Sequence, residues 1–213
     1  MKKTFLAATT AIIVAGAFSV DANAEERWPR WYLGLTAGAS FQPDQDYTIS
    51  GGGGTGEFPY DAGYSFSAAL GYKIPSEDGF LGNSNLELEL GFRNNGVDSS
   101  DSTAQASTLM ANYILNIPTD AGLNPYLGAG VGAAQIDIDA TNAAGANGDD
   151  VNLMYQFLVG VGFEPETIPN TEFIVGYRYL SAFDDPKVSR TGGGNVEFEY
   201  DVHSVEAGFR LLF

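Results

Sequence analysis

His203 is the single histidine of the chain and stands directly beside Ser204. A serine nucleophile needs its base within hydrogen-bond reach. Neighbours on a strand point to opposite faces, so this pair is expected to be split, with His203 at an outer rim. Glu87 and Glu89, with Arg93, Arg178 and Arg210, have the residue types of an acid–base cluster. Buried charges must be paired to survive desolvation, which favours a structural ion-pair network over catalysis. Asp137, Asp139, Asn142, Asp149 and Asp150 form an acidic stretch without the spacing and closing Glu of a calcium loop. Gly51–Gly54 and Gly192–Gly194 lack the following Lys-Ser/Thr of a phosphate cradle and read as loop tips. With no Cys there is no disulfide, thiolate zinc site or catalytic thiol. The expectation is no catalytic residue, no cofactor, no metal and no enzyme.

The composition agrees with that expectation. The 213 residues carry 10 Lys+Arg against 27 Asp+Glu, a formal net charge of −17, so no cationic groove for nucleic acid is expected. Met1-Lys2-Lys3, the apolar run Phe5–Phe18 and Ala22-Asn23-Ala24 have the three parts of a secretory signal peptide. The run is too short for a bilayer span of roughly 20 apolar residues. Ala22 and Ala24 occupy the positions a signal peptidase reads. Residues 1–24 are therefore expected to be a cleaved leader and 25–213 a single domain.

Eight later segments alternate with period two, the mark of strands with two unlike faces. They run 31–41, 64–74, 86–93, 108–117, 126–136, 153–163, 173–180 and 203–213. One parity is apolar, as in Trp31, Leu33, Leu35, Ala37, Ala39 and Phe41 or Leu86, Leu88, Leu90 and Phe92. The other holds mainly Gly, Ser, Thr and Asn. Lys73, Glu87, Glu89, Arg93, Arg178, Glu206 and Arg210 all lie on this second parity. A soluble sandwich would need many more solvated charges there. A small-residue, charge-paired interior inside an apolar exterior is instead the pattern of an all-β, eight-stranded antiparallel up-and-down transmembrane barrel. Alternation alone leaves a soluble sandwich or lipocalin-like barrel open. Met110, Ile114 and Ile136 are the least regular members, being apolar on the polar parity.

The connections alternate in length, the odd ones long and rich in Gly, Asp and Asn, the even ones short and containing Pro75, Pro118, Pro125, Pro165 and Pro169. That rhythm places both termini on the periplasmic side, with four mobile loops outside. Tyr72, Phe163, Phe173 and Phe213 would ring the periplasmic interface, and Phe41, Tyr64, Tyr155 and Tyr179 the outer one. The last strand would have to outrun the bilayer, since Glu197, Glu199 and Asp201 would otherwise meet lipid.

Several motifs then resemble one family in order. They are Leu109-Met110-Ala111-Asn112-Tyr113, Pro125-Tyr126-Leu127-Gly128-Ala129-Gly130-Val131-Gly132, Tyr155-Gln156, Gly176-Tyr177-Arg178-Tyr179 and Glu206–Phe213. Over residues 31–213 the chain resembles the small porin-like surface-antigen barrels of Gram-negative outer membranes, related to the transmembrane domain of outer-membrane protein A. Ile114-Leu115 stand where that family often has two further aromatics, and no peptidoglycan-binding domain is expected. The resemblance implies a monomer in the cell outer membrane among lipids and lipopolysaccharide. It also implies an assembly signal at Gly208, Phe209, Leu211 and Phe213, read by the barrel-assembly machinery after delivery by periplasmic chaperones. The implied function is structural and interactive: envelope integrity, and surface contact or adhesion to an unidentified extracellular ligand through acidic loops. The alternatives are a narrow porin-like channel for small polar solutes and an outer-membrane lipid-modifying enzyme.

Overall fold

The computed structural model describes residues 31–49, 54–58, 62–74, 83–97, 102–117, 119, 122–140, 146–189 and 195–213. The expected leader with Ala22 and Ala24, Asn142 and most of the two glycine runs lie outside these residues. Twelve strands follow one another: β1 Trp31–Phe41, β2 Gln45–Ile49, β3 Gly54–Phe58, β4 Gly63–Ile74, β5 Ser84–Val97, β6 Ser102–Asn116, β7 Leu123–Ala140, β8 Ala146–Phe163, β9 Thr171–Ala182, β10 Lys187–Ser189, β11 Asn195–Phe198 and β12 Asp201–Leu212.

Eight of them, β1, β4, β5, β6, β7, β8, β9 and β12, close a barrel in which each pairs antiparallel with its chain neighbour. Closure is made by β1, where Ala37 pairs with Phe66 of β4 on one side and Ala207 of β12 on the other. Trp31 and Phe213 exchange backbone hydrogen bonds at the end that holds both ends of the barrel chain. The apolar parity faces outward: Leu90 is 63% exposed and Leu127 51%, while Arg93 on the opposite parity is 1% exposed. Apolar side chains over the whole barrel wall are a wall built for hydrocarbon, not water. Glycines on the inner parity make room for the rings that fill the lumen. A Cβ on Gly71 would collide with the Tyr32 ring, which lies across it.

The structure departs from the sequence reading at the outer end. The segments 42–63 and 181–202, expected to be connections only, contribute β2, β3, β10 and β11, which form a second sheet in the order β10-β11-β2-β3. Val196 and Phe198 of β11, then Tyr200 and Val202, pack inward against Ala104, Ala106, Met110, Ala134, Ile136, Met154 and Leu180 of the barrel wall. Tyr47 and Ile49 of β2 complete this apolar plug. The outer part of the lumen is thus hydrophobic rather than small and charged, which accounts for Met110 and Ile136 on the inner parity. Ile114 belongs to a second buried cluster with Tyr126, Leu158 and Ile174.

The last barrel strand does not run on through Glu197 as expected. It begins at Asp201, and Glu197 lies in β11 instead. The cause is a change of parity: from Val196 to Val202 the even positions are apolar and buried, whereas Val205 and Leu211 are apolar and exposed. Above the bilayer a strand faces water outside, so its apolar side turns in. The same rule lets β7 and β8 extend to 18 residues each, pairing Asp137 with Asp149. Most of the expected loop 137–152 is therefore paired hairpin.

Candidate functional site: the charged lumen

Barrel strands present alternate residues to the lumen, so each charged side chain there is aimed by its own strand's parity. Arg178 of β9 sits at the centre. Its Nη1 donates to Glu89 Oε1 at 2.6 Å and to Gln156 Oε1 at 2.7 Å. Its Nε and Nη2 donate to Glu206 Oε2 at 3.2 and 3.0 Å. Register explains the choice of partners: Arg178 pairs with Ser204 on β12, two residues from Glu206, whereas Glu89 on β5 is reached across the lumen. The carboxylates have further donors. Asn112 Nδ2 reaches Glu89 at 3.3 Å, and Ser65 Oγ reaches Glu206 at 3.1 Å. Gln156 Nε2 donates to Asn112 Oδ1 at 2.6 Å, closing the ring of contacts.

A second layer lies toward the periplasmic end. Arg210 Nη2 is 3.3 Å from Glu87 Oε1 and Nη1 is 3.3 Å from Glu172 Oε2. Its guanidinium also lies 5.3 Å from the ring centroids of both Tyr32 and Tyr126, within cation–π range. Tyr32 donates its hydroxyl to Glu87. Lys73 is not inside the barrel proper: it is 28% exposed at the rim, between Glu164 at 3.2 Å and Glu172 at 3.7 Å. Arg93, on the outer side, is held among the described residues by a long hydrogen bond to Thr108 at 3.4 Å and by Glu206 at 4.0 Å. Three buried arginines and Lys73 thus face Glu87, Glu89, Glu172 and Glu206, and their formal charges cancel.

Glu172, Tyr32, Asn112 and Gln156 were not singled out from sequence as members of this cluster. Glu172 stands one residue before the expected seventh segment, on the parity of Arg178, so a strand read from Thr171 would have included it. The remaining candidates fall elsewhere. His203 faces outward at the upper rim, hydrogen-bonded through Nδ1 to the Tyr177 hydroxyl and packed 5.2 Å from the Tyr179 ring. Ser204 is buried on the opposite face, so the two do not meet. Asp150 Oδ2 accepts the Lys187 backbone N–H at 2.9 Å, and Asp149 accepts from Gln135. Among the described residues no three acidic or histidine side chains converge on a metal-sized site. Gly208, Phe209, Leu211 and Phe213 lie along β12 and its end, with Phe209 opposite Leu35 and Phe173. Outside the spanning strands, burial pushes the Tyr200 phenol up to about 12, with the Arg93 charge pulling the other way.

The space left among Thr36, Ser67, Glu87, Glu89, Arg178 and Arg210 is a cavity of about 30 Å³. That is on the order of one water. An eight-stranded barrel has an interior just wide enough for side chains such as these to fill.

A family model described as outer membrane protein beta-barrel domain matches residues 10–213. Among solved structures the chain is similar to the Neisserial surface protein A, with 21% identity and a TM-score of 0.54 over 86% of this chain and 97% of that one. It is also similar to the outer membrane protein OprG from Pseudomonas aeruginosa, with 15% identity and a TM-score of 0.54 over 88% and 98%. AlkL, solved in lipid bilayers, gives 16% identity and a TM-score of 0.50 over 91% and 95%. At these identities the likeness is one of fold. No curated protein matches the chain.

Proposed function

The chain belongs to the outer membrane protein β-barrel domain family, and from that premise we propose that it is a closed surface protein with a structural and interactive role. It lies in the outer membrane among lipids. Its barrel acts as a rigid, sealed mount for the hairpins that stand outside. The observation that carries this reading is the bridged lumen: Arg178 ties β9 to β5, β8 and β12 by four hydrogen bonds, and the cavity beside it is only about 30 Å³. Hydrogen bonds from one buried guanidinium to three other strands rigidify what they join.

Outside, Asp137 and Asp149 stand opposite one another on the β7–β8 hairpin and are exposed. The surface contact is therefore with a cationic partner, at which the leading interaction is long-range and salt-dependent. Assembly uses the barrel-assembly machinery and periplasmic chaperones, with Phe209, Leu211 and Phe213 as the recognised face of β12. The test is a strain lacking the protein, complemented with the parent or with Asp137→Asn/Asp149→Asn. The parent restores detergent resistance and retention on a polycation-coated surface; the variant restores only the first. Equal retention of both would overturn the contact reading, and unchanged detergent sensitivity on deletion would overturn the envelope role.

A further inference from the structure

The barrel's outer wall is not uniformly bulky. Leu88, Leu90, Leu109, Leu127 and Val159 stand out from it, whereas Ala111 and Ala129, exposed like them, carry only a methyl group. Around these two alanines lies a groove of about 530 Å³. Such a volume is in the range of small-molecule sites, roughly 300–1,000 Å³. Its walls are Leu86, Tyr113, Tyr155 and Phe157, and no charged side chain lines it. Phe183 closes the upper end, its ring 5.0 Å from that of Tyr155 and tilted 55° to it, and its backbone N–H donates to the Leu153 carbonyl.

Register gives the groove its direction. Leu86 pairs with Tyr113, Tyr113 with Ala129, and Ala129 with Phe157. Continued one strand each way, this row starts at Tyr72, beside Trp31 at the periplasmic rim, and ends at Tyr179, beside His203 at the outer rim. The groove therefore lies across β5 to β8 on the hydrocarbon-facing wall, and the row of residues through it meets an aromatic at each interface. It crosses four strands, roughly 14 Å at about 4.8 Å per neighbour.

We propose that the Ala111–Ala129 furrow is a binding site for one acyl chain of a membrane lipid, laid along the wall and held under Phe183. The accessible lining is almost all carbon, since Asn112 and Gln156 turn their amides into the lumen, and it lies on the face that the bilayer covers, which favours a hydrocarbon occupant. A second copy of the chain is the poorer occupant: in an isologous contact the same patch meets itself, and dent against dent leaves a void where packing should be. A flexible chain fills the dent. This inference rests on the barrel's place in the membrane and not on the closed lumen.

The test is native mass spectrometry after reconstitution in vesicles of palmitoyl-oleoyl phosphatidylethanolamine and phosphatidylglycerol and release into mild detergent. The parent should carry a one-lipid adduct that survives collisional removal of detergent. Ala129→Leu fills the furrow from the floor and should lower that adduct about fivefold, the ratio given by roughly 1 kcal/mol of lost packing. Ala111→Leu should act alike and guards against one variant failing to fold; both should keep heat-modifiable migration on gels. Leu90→Ala, outside the furrow, should leave the adduct as in the parent. Equal adducts in parent and both leucine variants, an equal loss in Leu90→Ala, or a dimer in the parent that Ala129→Leu abolishes would each overturn the proposal.

Discussion

Replacing Arg178 with Met keeps an unbranched apolar stem and removes the guanidinium from the centre of the lumen. Glu89 then retains Asn112 at 3.3 Å, and Glu206 retains Ser65 at 3.1 Å, Thr36 at 3.4 Å and Arg93 at 4.0 Å. Neither carboxylate keeps a close cation. Breaking a buried pair from one side costs about 3–5 kcal/mol, because the surviving charge stays desolvated. The loss here belongs at the upper end of that range, since one guanidinium serves two carboxylates through its fork. The assay is urea unfolding of the barrel in vesicles followed by tryptophan fluorescence, with the midpoint falling while the slope is retained. Arg178→Met with Glu206→Gln should recover part of the loss, because one of the stranded charges is gone; the shortfall from additivity measures the pair. A single variant as stable as its parent would refute the reasoning and show that the ring of contacts contributes nothing net to stability.

Phe198→Ala empties the centre of the plug, where the side chain is 1% exposed, and should cost about 3–5 kcal/mol locally. The expected result is earlier proteolytic cutting between residues 184 and 200 with the barrel still intact. Tyr200 carries a phenol raised from 10.0 to about 12 by burial. Its contribution is complete below pH 10 and is lost as pH rises from there through the folded value, because the unfolded phenol ionises first. Tyr200→Phe should abolish that alkaline loss in a proteolysis profile. Mass spectrometry of the protein from outer membranes should find Glu25 at its start, which places cleavage after Ala24.

The eight barrel strands were legible because one physical demand, carbon toward lipid on every second residue, repeats in each of them. Leu86, Leu88 and Leu90 or Val205, Ala207 and Phe209 carry that signal without any knowledge of partners. Glu87, Glu89, Arg93, Arg178, Glu206 and Arg210 lie in the lumen as their parity says, but Lys73 lies at the rim and the contacts among the set were not legible. Arg178 and Glu206 could be matched by strand adjacency, whereas Glu172 fell outside a segment started at the first apolar residue. What was not legible was the plug. Val196, Phe198, Tyr200 and Val202 alternate as regularly as the strand that follows them, but with the opposite parity. Whether such a stretch faces lipid, water or protein depends on where the bilayer ends, and alternation alone carries no depth. The misfit of Met110, Ile114 and Ile136 was the available clue: bulky carbon pointing inward requires something apolar inside to meet it. Met110 and Ile136 meet the plug, and Ile114 meets Tyr126, Leu158 and Ile174.

The closed lumen is the centre of this account, and planar-bilayer conductance of the purified, refolded protein tests it most directly. A barrel plugged by Phe198 and its neighbours and riveted by Arg178 should insert without a steady open current, and Arg178→Met combined with Phe198→Ala should introduce one. A large, stable conductance from the parent chain would contradict the account.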